Sequence, residues 1–463
     1  MQVPVINFLL AGVLLFFSTT ATAGEQAGRQ PDEKPAKLSA WGEIRFRSEA
    51  QDNFNLKSYG VPAKAGDTND TFLLGRFRLG IKGNPLKNLF FSAGFQHAEA
   101  WGLALDETRF FKDVFDRQHN PYEDDMEPYN TYLLIKNLFT SPVELKAGRQ
   151  LISYGDKRIF GPGQWGNAGR WGWDAVKLHC PLGKNFVDAY YGKTMIHDPN
   201  HLSLTHNHGF ESMGIYSRFH LPSPVNSIVV EPFTMTKHSD GNLFRGEDGR
   251  TGEMDAYYTG VRIAEQDRRG FDWDATWVMQ KGDYATDTLD AFGYHIQMAY
   301  NFNGVFLKPR IAIDYSYASG DEDPSDGEKG TFDGAFGARA KLYGRMNLFH
   351  WKNIKDAAAI LTLCPAKTWR ITAEAHVVAL AETRDAWYLN PKAYRDPSGN
   401  SGDGLGRELD LVGTWNIGHG HQLQAGGGYF RPDEFAKKQA SDTDAAWAFV
   451  QWNWRFDQKL TKT

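Results

Sequence analysis

Apolar and polar residues alternate along most of the chain from about residue 39 onward. In the segment 42–47, a glycine, an isoleucine and a phenylalanine alternate with Glu43, Arg45 and Arg47, and the segment 450–456 repeats the pattern. A period of two places one class of residue on each face of a β-strand. The apolar face of such a strand meets either a second sheet, as in a soluble sandwich, or the lipid around a membrane barrel.

The pattern predicts eighteen strands. They are expected near residues 39–50, 71–83, 88–99, 129–138, 143–150, 173–181, 185–194, 210–221, 225–236, 254–264, 270–280, 291–302, 306–317, 355–364, 367–381, 405–417, 421–430 and 445–456. The segment 336–349 could also be a short strand or helix. Counting it would make the strand number odd, so we place it inside a long loop, 318–354.

The joints between the predicted strands alternate between long and short. The long joints are 51–70, 100–128, 151–172, 195–209, 237–253, 281–290, 318–354, 382–404 and 431–444, and the short ones are tight turns such as 83–87 and 222–224. Long loops at one end, tight turns at the other and an even strand number are typical of an outer-membrane barrel. The sequence therefore predicts an all-β, 18-stranded antiparallel transmembrane β-barrel with short periplasmic turns and long extracellular loops.

The first 23 residues differ from the rest of the chain. An apolar run, 8–17, precedes the small residues Ala21, Thr22 and Ala23, which indicates a secretory signal peptide cleaved after Ala23. A single N-terminal membrane anchor is the alternative, although the run is shorter than the roughly 20 residues that a span needs. We expect a flexible tail over 24–38, the barrel over 39–456 and a C-terminal tail over 457–463.

Composition agrees with this division. The 47 glycines and 14% aromatic residues favour turns and strands over helices, and no linker divides the chain. The net charge of −5 is spread along the sequence, and nothing indicates nucleic-acid binding. The two cysteines, Cys180 and Cys364, fall eight predicted strands apart. A disulfide needs Cα atoms within roughly 7 Å, so both are predicted to be free.

Positive charge dominates the face that hydrophobicity assigns to the lumen. An inward surplus of cations favours anions, and the arginine fork suits carboxylates. The alternative is that these charges pair across the wall and only keep the lumen wet. The predicted pore-lining and substrate-binding residues are Arg76, Arg78, Arg149, Arg158, Arg170, Lys177, Arg310, Arg370 and Arg455.

The segment 148–170 is the loop that we expect to narrow the lumen. It reads GRQLISYGDKRIFGPGQWGNAGR, and Asp156 is a plausible local partner for its arginines. Strict alternation would point Arg149 at lipid, and a bulge at Gly148 would turn it inward. The alternative is a rigid rim loop without a ligand.

Three motifs resemble those of the alginate export family of bacterial outer-membrane barrels. They are GRQ-x3-YGD-x-R-x2-GPGQWGN-x-GR at 148–170, FHWKNIKD at 349–356 and TRDAWY at 383–388. The resemblance covers roughly residues 40–456. It implies an 18-stranded barrel whose positively lined pore passes an anionic uronate polysaccharide to the cell surface, with Arg149, Arg170 and Arg76 as pore-lining residues.

The leading hypothesis is a channel for an anionic, alginate-like polysaccharide or its oligosaccharides. Its partners would be outer-membrane lipids, lipopolysaccharide and periplasmic polymer-export proteins. The alternative is a general or uptake porin for small anionic substrates such as uronate oligosaccharides. A third hypothesis, an outer-membrane enzyme, would need a nucleophile and base near the rim. No such pair is evident and no nucleotide or hydrolase motif occurs, so we expect no enzyme.

Metal signals are weaker. His197, His201, His206 and His208 crowd one long loop, but their spacing fits no closed site. The acidic runs 123–125 and 321–326 could hold Ca²⁺ on the extracellular side. No other cofactor is expected.

Overall fold

The computed structural model describes residues 38–53, 69–104, 110, 112–113, 115, 117–199, 208–222, 228–265, 270–389 and 392–460. The predicted signal peptide 1–23, nearly all of the tail 24–38 and the end of the C-terminal tail lie outside the described residues.

Eighteen strands form one sheet. They are β1 Leu38–Asp52, β2 Asp70–Leu86, β3 Leu89–Trp101, β4 in two parts Asp124–Pro128 and Tyr132–Ile135, β5 Glu144–Gln150, β6 Trp173–Leu182, β7 Asn185–Met195, β8 His208–Leu221, β9 Ile228–Arg245, β10 Thr251–Glu265, β11 Phe271–Tyr284, β12 Asp287–Asn301, β13 Arg310–Ala318, β14 Ile354–Ala366, β15 Trp369–Ala379, β16 Gly404–Gly418, β17 His421–Pro432 and β18 Ala445–Lys459.

The sheet closes on itself. Each strand pairs antiparallel with the next, and β1 pairs with β18 from Ser39↔Lys459 to Asp52↔Ala446. Closure leaves no free edge, so the wall's backbone groups can be paired within the sheet. The predicted 18-stranded barrel is confirmed.

The alternation of the sequence becomes an inner and an outer face. On β1, Arg45 and Arg47 are buried inside, whereas the outward positions of other strands carry exposed apolar residues such as Ile313, Val377 and Leu409. Apolar side chains on the outer face match the lipid that surrounds a membrane barrel. Among the described residues, no helix has the length and apolarity required to cross a membrane.

Strand β4 differs from the single strand expected at 129–138. It breaks between Pro128 and Tyr132, where Asn130 takes a positive φ of 48°, and Met126 within the first part also has a positive φ. Both parts pair with β3, and the Tyr129 amide still donates to the Gly94 carbonyl at 2.7 Å. The break therefore lies in the wall without opening it.

Two of the predicted long loops are short turns. Strand β9 continues to Arg245 past a register shift between Ser239 and Phe244, and β11 and β12 pair up to Tyr284↔Asp287. Polar residues at 237–253 and 281–290 were interpreted as loops. They instead continue the ladders of strands that extend beyond the apolar band.

The other loops at this end remain long and carry a little structure of their own. In loop 319–353, Glu328–Lys329 pairs parallel with β12, and the segment 336–349 lies inside this loop as predicted. The loop 380–403 holds a hairpin of Ala386–Tyr388 and Ala393–Arg395, and a short helix, Glu434–Gln439, precedes β18. Both cysteines are free, on β6 and β14.

Candidate functional site

The loop 151–172 folds into the barrel and is held by arginines of β1 and β2. The Arg45 guanidinium donates to the carbonyls of Gln164 at 3.0 Å and Gly166 at 3.0 Å, and Arg76 donates to the same two carbonyls at 3.1 Å. Arg78 donates to the side chains of Gln96 and Gln164. These buried cations therefore satisfy a loop that has no sheet partner of its own.

One asparagine fixes the tip of this loop. The Asn167 side-chain amide donates to the carbonyls of Gly75 at 2.9 Å, Glu99 at 3.0 Å and Tyr122 at 2.9 Å. The neighbouring Trp165 packs edge-on against Phe449 with ring centroids 5.0 Å apart. The loop is thereby attached to β2, β3 and β18.

Arg158 attaches the same loop to the opposite wall. Its guanidinium lies 2.8 Å from the Asp156 carboxylate, 3.4 Å from Asp314 and 3.1 Å from the Ser316 hydroxyl. Burial lowers the pKa of Arg158, but Tyr343, Asp314 and Asp156 outweigh that effect and keep the pKa above its ordinary value. Loop 151–172 therefore crosses the lumen from β1–β3 to β13.

Loop 319–353 enters the lumen beside it, and the two loops are bonded. The Gly161 amide donates to the Phe336 carbonyl at 3.0 Å, and the Phe336 amide donates to Ile159 at 3.1 Å. The Phe336 ring packs against Trp173 with centroids 4.6 Å apart. These rings belong to a buried apolar cluster that fills part of the lumen.

The second loop is also anchored to the wall by charge. Two nitrogens of the Arg345 guanidinium donate to the Glu374 carboxylate, Nε at 2.9 Å and Nη2 at 2.5 Å. The Arg345 backbone amide donates to the Asp410 carboxylate at 3.1 Å. At the other side of the loop, the Lys237 ammonium lies 3.0 Å from Asp333. Both loops are thus held at both sides of the barrel.

Cations accumulate where the loops meet. Arg170 has no ion-pair partner in the part of the chain that the structure describes, and its Nη1 is buried without a hydrogen bond. Burial lowers the pKa of Arg170 to about 10, against the opposing effect of Asp333. Burial and then Arg170 hold the pKa of Arg339 well below its usual range. Burial and then Arg345 lower the pKa of Lys341 to about 8. Burial is the main cause of all three depressed pKa values, and repulsion from a neighbouring arginine adds to it at Arg339 and Lys341.

Two cavities flank this junction. The cavity of about 360 Å³ toward the long loops is lined by both charges, with Arg47, Arg170, Arg339 and Arg345 beside Glu49, Asp113 and Glu123. The cavity of about 460 Å³ toward the tight turns is lined by Lys341, Arg345, Lys367, Arg370 and several Thr, Asn and Gln side chains. Arg345 lines both, so it stands where the two cavities adjoin.

Arg149 lines a small cavity beside Arg78 and Gln164, but without the bulge that was expected to turn it inward. The β5–β6 register runs unshifted from Glu144 to Gln150 and pairs Arg149 with Asp174, on the face opposite to Trp173. Its guanidinium makes two bonds to Asp174, at 2.8 and 2.6 Å, and lies 3.3 Å from Glu127 of the broken strand β4. The expected bulge at Gly148 is therefore wrong for this ladder, although Gly148 does have a φ of 121°.

Several of the other predicted residues are paired along the inner wall. Lys177 lies 2.8 Å from Asp188, Arg310 lies 2.6 Å from Asp272 and Arg455 lies 2.7 Å from Glu43. Pairing across the wall was the stated alternative, and it holds for these three. Among described residues Arg370 has no carboxylate within ion-pair distance, and its side chain faces the second cavity.

Arg339, Lys341 and Arg345 were missed from the sequence. All three lie in the segment 336–349, which the strand count assigned to a loop. The available signal was its density of basic residues, three in seven positions from Arg339 to Arg345.

The predicted metal candidates are dispersed. His197 bonds to Asp124 at 2.8 Å and His208 to Asp174 at 2.9 Å, while His201 and His206 lie outside the described residues. In the acidic run 321–326, Asp321 pairs with Lys329 at 3.0 Å. Calcium at the extracellular loops remains a prediction.

The sequence profile described as "Alginate export" matches residues 41–449. The chain belongs to the alginate export family. Among curated proteins, none matches this member of the family.

Solved structures share its fold at low sequence identity. Pseudomonas aeruginosa OpdO gives a TM-score of 0.56 at 10% identity, covering 91% of this chain and 97% of OpdO. Acinetobacter baumannii OccAB1 gives 0.58 at 9% identity, covering 93% and 100%. P. aeruginosa OpdK, solved with vanillate, gives 0.55 at 9%, covering 90% and 98%. This alginate export family member is thus an outer-membrane β-barrel channel.

Proposed function

We propose that this channel conducts an anionic, uronate-type polysaccharide resembling alginate across the outer membrane, past the junction of its two inner loops. A cleaved signal peptide over 1–23 would deliver it, and lipopolysaccharide and periplasmic polymer-export proteins would be its partners. Its selectivity would come from the cations at the junction and in the cavity beneath it.

The charge of the periplasmic cavity carries this proposal. Lys341, Lys367 and Arg370 line it together with Arg345, whose charge is paired with Glu374, its other polar lining residues are neutral, and its described lining includes no carboxylate. A polyuronate presents one carboxylate and several hydroxyls per sugar. Guanidinium and ammonium groups bind the carboxylate, and Gln422, Gln424 and Asn416 offer partners to the hydroxyls.

The cations without an acidic partner would make the channel select anions over cations. Several wall cations are each paired with an acid, as Arg262 with Asp274 and Arg310 with Asp272, so they contribute little net field to a passing ion. Arg170, Arg339 and Arg370 lack a carboxylate partner among described residues, and they lie on both sides of Arg345. Unneutralised charge in a confined space of low dielectric concentrates anions.

Single-channel recording in planar bilayers tests the proposal. The unmodified channel should be anion-selective, and oligouronate should block halide current. The double variant Lys341→Gln/Arg370→Gln should bind the blocker roughly 30-fold more weakly, since it removes two charge-assisted contacts of about 1 kcal/mol each. Lys281→Gln, which removes a cation from the outer face, serves as the control. Cation selectivity of the unmodified channel would contradict the proposal.

Uptake of small anions is the second candidate. The related fold of OpdK was solved with vanillate, a small carboxylate, and two inner loops restrict the lumen here. The block of channel current by monouronate, by oligouronate and by a neutral oligosaccharide of matched length distinguishes the polysaccharide channel from the small-anion porin. Block that strengthens with uronate length supports the polymer, and block by the monomer alone supports uptake of small substrates.

A further inference from the structure

A buried acidic cluster lies on the lumen face of β14–β16, directly behind the turn of Arg345. It comprises Asp356 on β14, Glu374 and His376 on β15, and Glu408 and Asp410 on β16. All five side chains are buried, with relative exposures of 0 to 7%. Arg345 is the cation that contacts them, through Glu374. The four acids of the cluster therefore outnumber the cations that contact them.

The histidine of this cluster has one nitrogen committed and one without a partner. The His376 Nδ1 lies 3.0 and 3.2 Å from the two carboxylate oxygens of Asp356, which fixes its proton on that side. Its Nε2 is buried without a hydrogen bond and lies 4.0 Å from a Glu374 oxygen. A carboxylate behind a histidine is the usual arrangement for a metal-binding imidazole.

Two carboxyl groups of the cluster face each other. Glu408 accepts from the Met346 amide with Oε1 at 2.8 Å, Asp410 accepts from the Arg345 amide with Oδ2, and the two side chains share a hydrogen bond that requires one proton between them. Their other oxygens, Glu408 Oε2 and Asp410 Oδ1, meet no donor from a further residue. Buried anions cost free energy unless a cation or a proton compensates them, and a divalent ion in place of that proton would also satisfy the buried His376 Nε2.

We propose that Glu374, His376 and Asp410 bind a divalent metal ion. One ligand atom from each of the three lies within 4.8 Å of the others. Ligand atoms about 2.1 Å from a tetrahedral Zn²⁺ lie about 3.4 Å from one another, so the three side chains would close by up to about 1.4 Å on binding the ion. Imidazole nitrogen with carboxylate oxygen selects a first-row ion such as Zn²⁺ over Ca²⁺ or Mg²⁺.

The position of the site beside Arg345 implies a structural role for the bound ion. Asp410 and Glu374 are also the residues that hold the Arg345 backbone and side chain. An ion bound to their remaining lone pairs would fix these carboxylates and, through them, loop 319–353 against the wall. The ion would therefore strengthen the anchoring of the second inner loop, independently of which anion the channel conducts.

Zinc content of the detergent-purified, full-length barrel tests this site. The protein is incubated with Zn²⁺, desalted and analysed for metal by mass spectrometry. His376→Gln and Asp410→Asn should each carry one equivalent less zinc than the unmodified protein. The control is His295→Gln, in a second histidine–carboxylate group whose members already have partners: Asp156 bonds to Arg158 and Asp274 to Arg262. It should retain the full content.

Heat-modifiable mobility on gels establishes that each variant is folded. Equal zinc in the unmodified protein and a folded His376→Gln variant would overturn the proposal. Should neither variant fold, the X-ray absorption spectrum of zinc in the unmodified protein decides. One imidazole with oxygen ligands supports the site, and a spectrum without nitrogen ligands, or no retained zinc, refutes it.

Discussion

The Gly161 amide donates a hydrogen bond to the carbonyl of Phe336 at 3.0 Å, which joins two loops that are 175 residues apart in sequence. Each loop is also anchored to the barrel wall, the first through Arg45, Arg76 and Arg158, the second through Arg345. The passage is therefore bounded by a bonded pair of loops.

Gly337 should be required for the junction. A Cβ at this position would collide with the Arg158 carbonyl, whereas a Cβ at Gly166 in the first loop meets its nearest atom at 3.4 Å. Gly337→Ala is expected to separate the loops, raising single-channel conductance and current noise. Gly166→Ala should behave as the unmodified channel. An unchanged Gly337→Ala conductance would mean that the loops do not limit the current.

Asn167 should hold the tip of the first loop in place. Replacing it by leucine keeps the approximate volume but removes the donors to three carbonyls, at a cost of about 1–3 kcal/mol for each carbonyl left buried and unsatisfied. We expect frequent current fluctuations as the loop detaches. A steady current from Asn167→Leu, with the barrel folded by gel mobility, would contradict this role.

Lys341 should make anion selectivity depend on pH. Burial lowers its pKa to about 8, so the ammonium is charged below that pH and loses its charge as the pH rises through it. Anion selectivity from reversal potentials should therefore fall between about pH 7 and 9. Lys341→Arg should retain its charge and abolish this step, since arginine stays protonated. A step that persists in Lys341→Arg belongs to another group.

Asp333 should compensate the buried Lys237. Its carboxylate lies 3.0 Å from that ammonium, and Lys237, then Lys352, lower its pKa against the effect of burial. Asp333→Asn leaves an uncompensated buried cation, a change that typically costs about 3–5 kcal/mol. Loop 319–353 should loosen and expose Arg339 and Lys341 to trypsin.

A second variant separates the lost charge pair from a general defect. Lys237→Met/Asp333→Asn removes both charges and should recover most of the protease resistance, which a double-mutant cycle quantifies. The control is Asp323→Asn, which changes an exposed acid of the same loop. Trypsin should cleave this variant no faster than the unmodified protein.

The local sequence pattern was sufficient to predict the strands of the barrel wall. Alternation of residues such as Glu43, Ile44 and Arg45 assigns inside and outside because side chains of a strand point to opposite faces. Hence the strand number, the order of the strands and the free state of Cys180 and Cys364 were predictable. The ends of β9, β11 and β12 were not, since a strand that extends into water no longer carries the apolar signal.

The sequence by itself determined the closed barrel, its topology and the importance of the loop 148–170, because period-two alternation and motif spacing are local properties. Only the tertiary structure decided which cations are neutralised. Arg149 is paired with Glu127 and Asp174, whereas Arg170 and Arg339, where two distant loops meet, have no carboxylate within ion-pair distance among the described residues. Neutralisation depends on distances of a few ångströms between residues far apart in the chain, and no pattern along one strand encodes them.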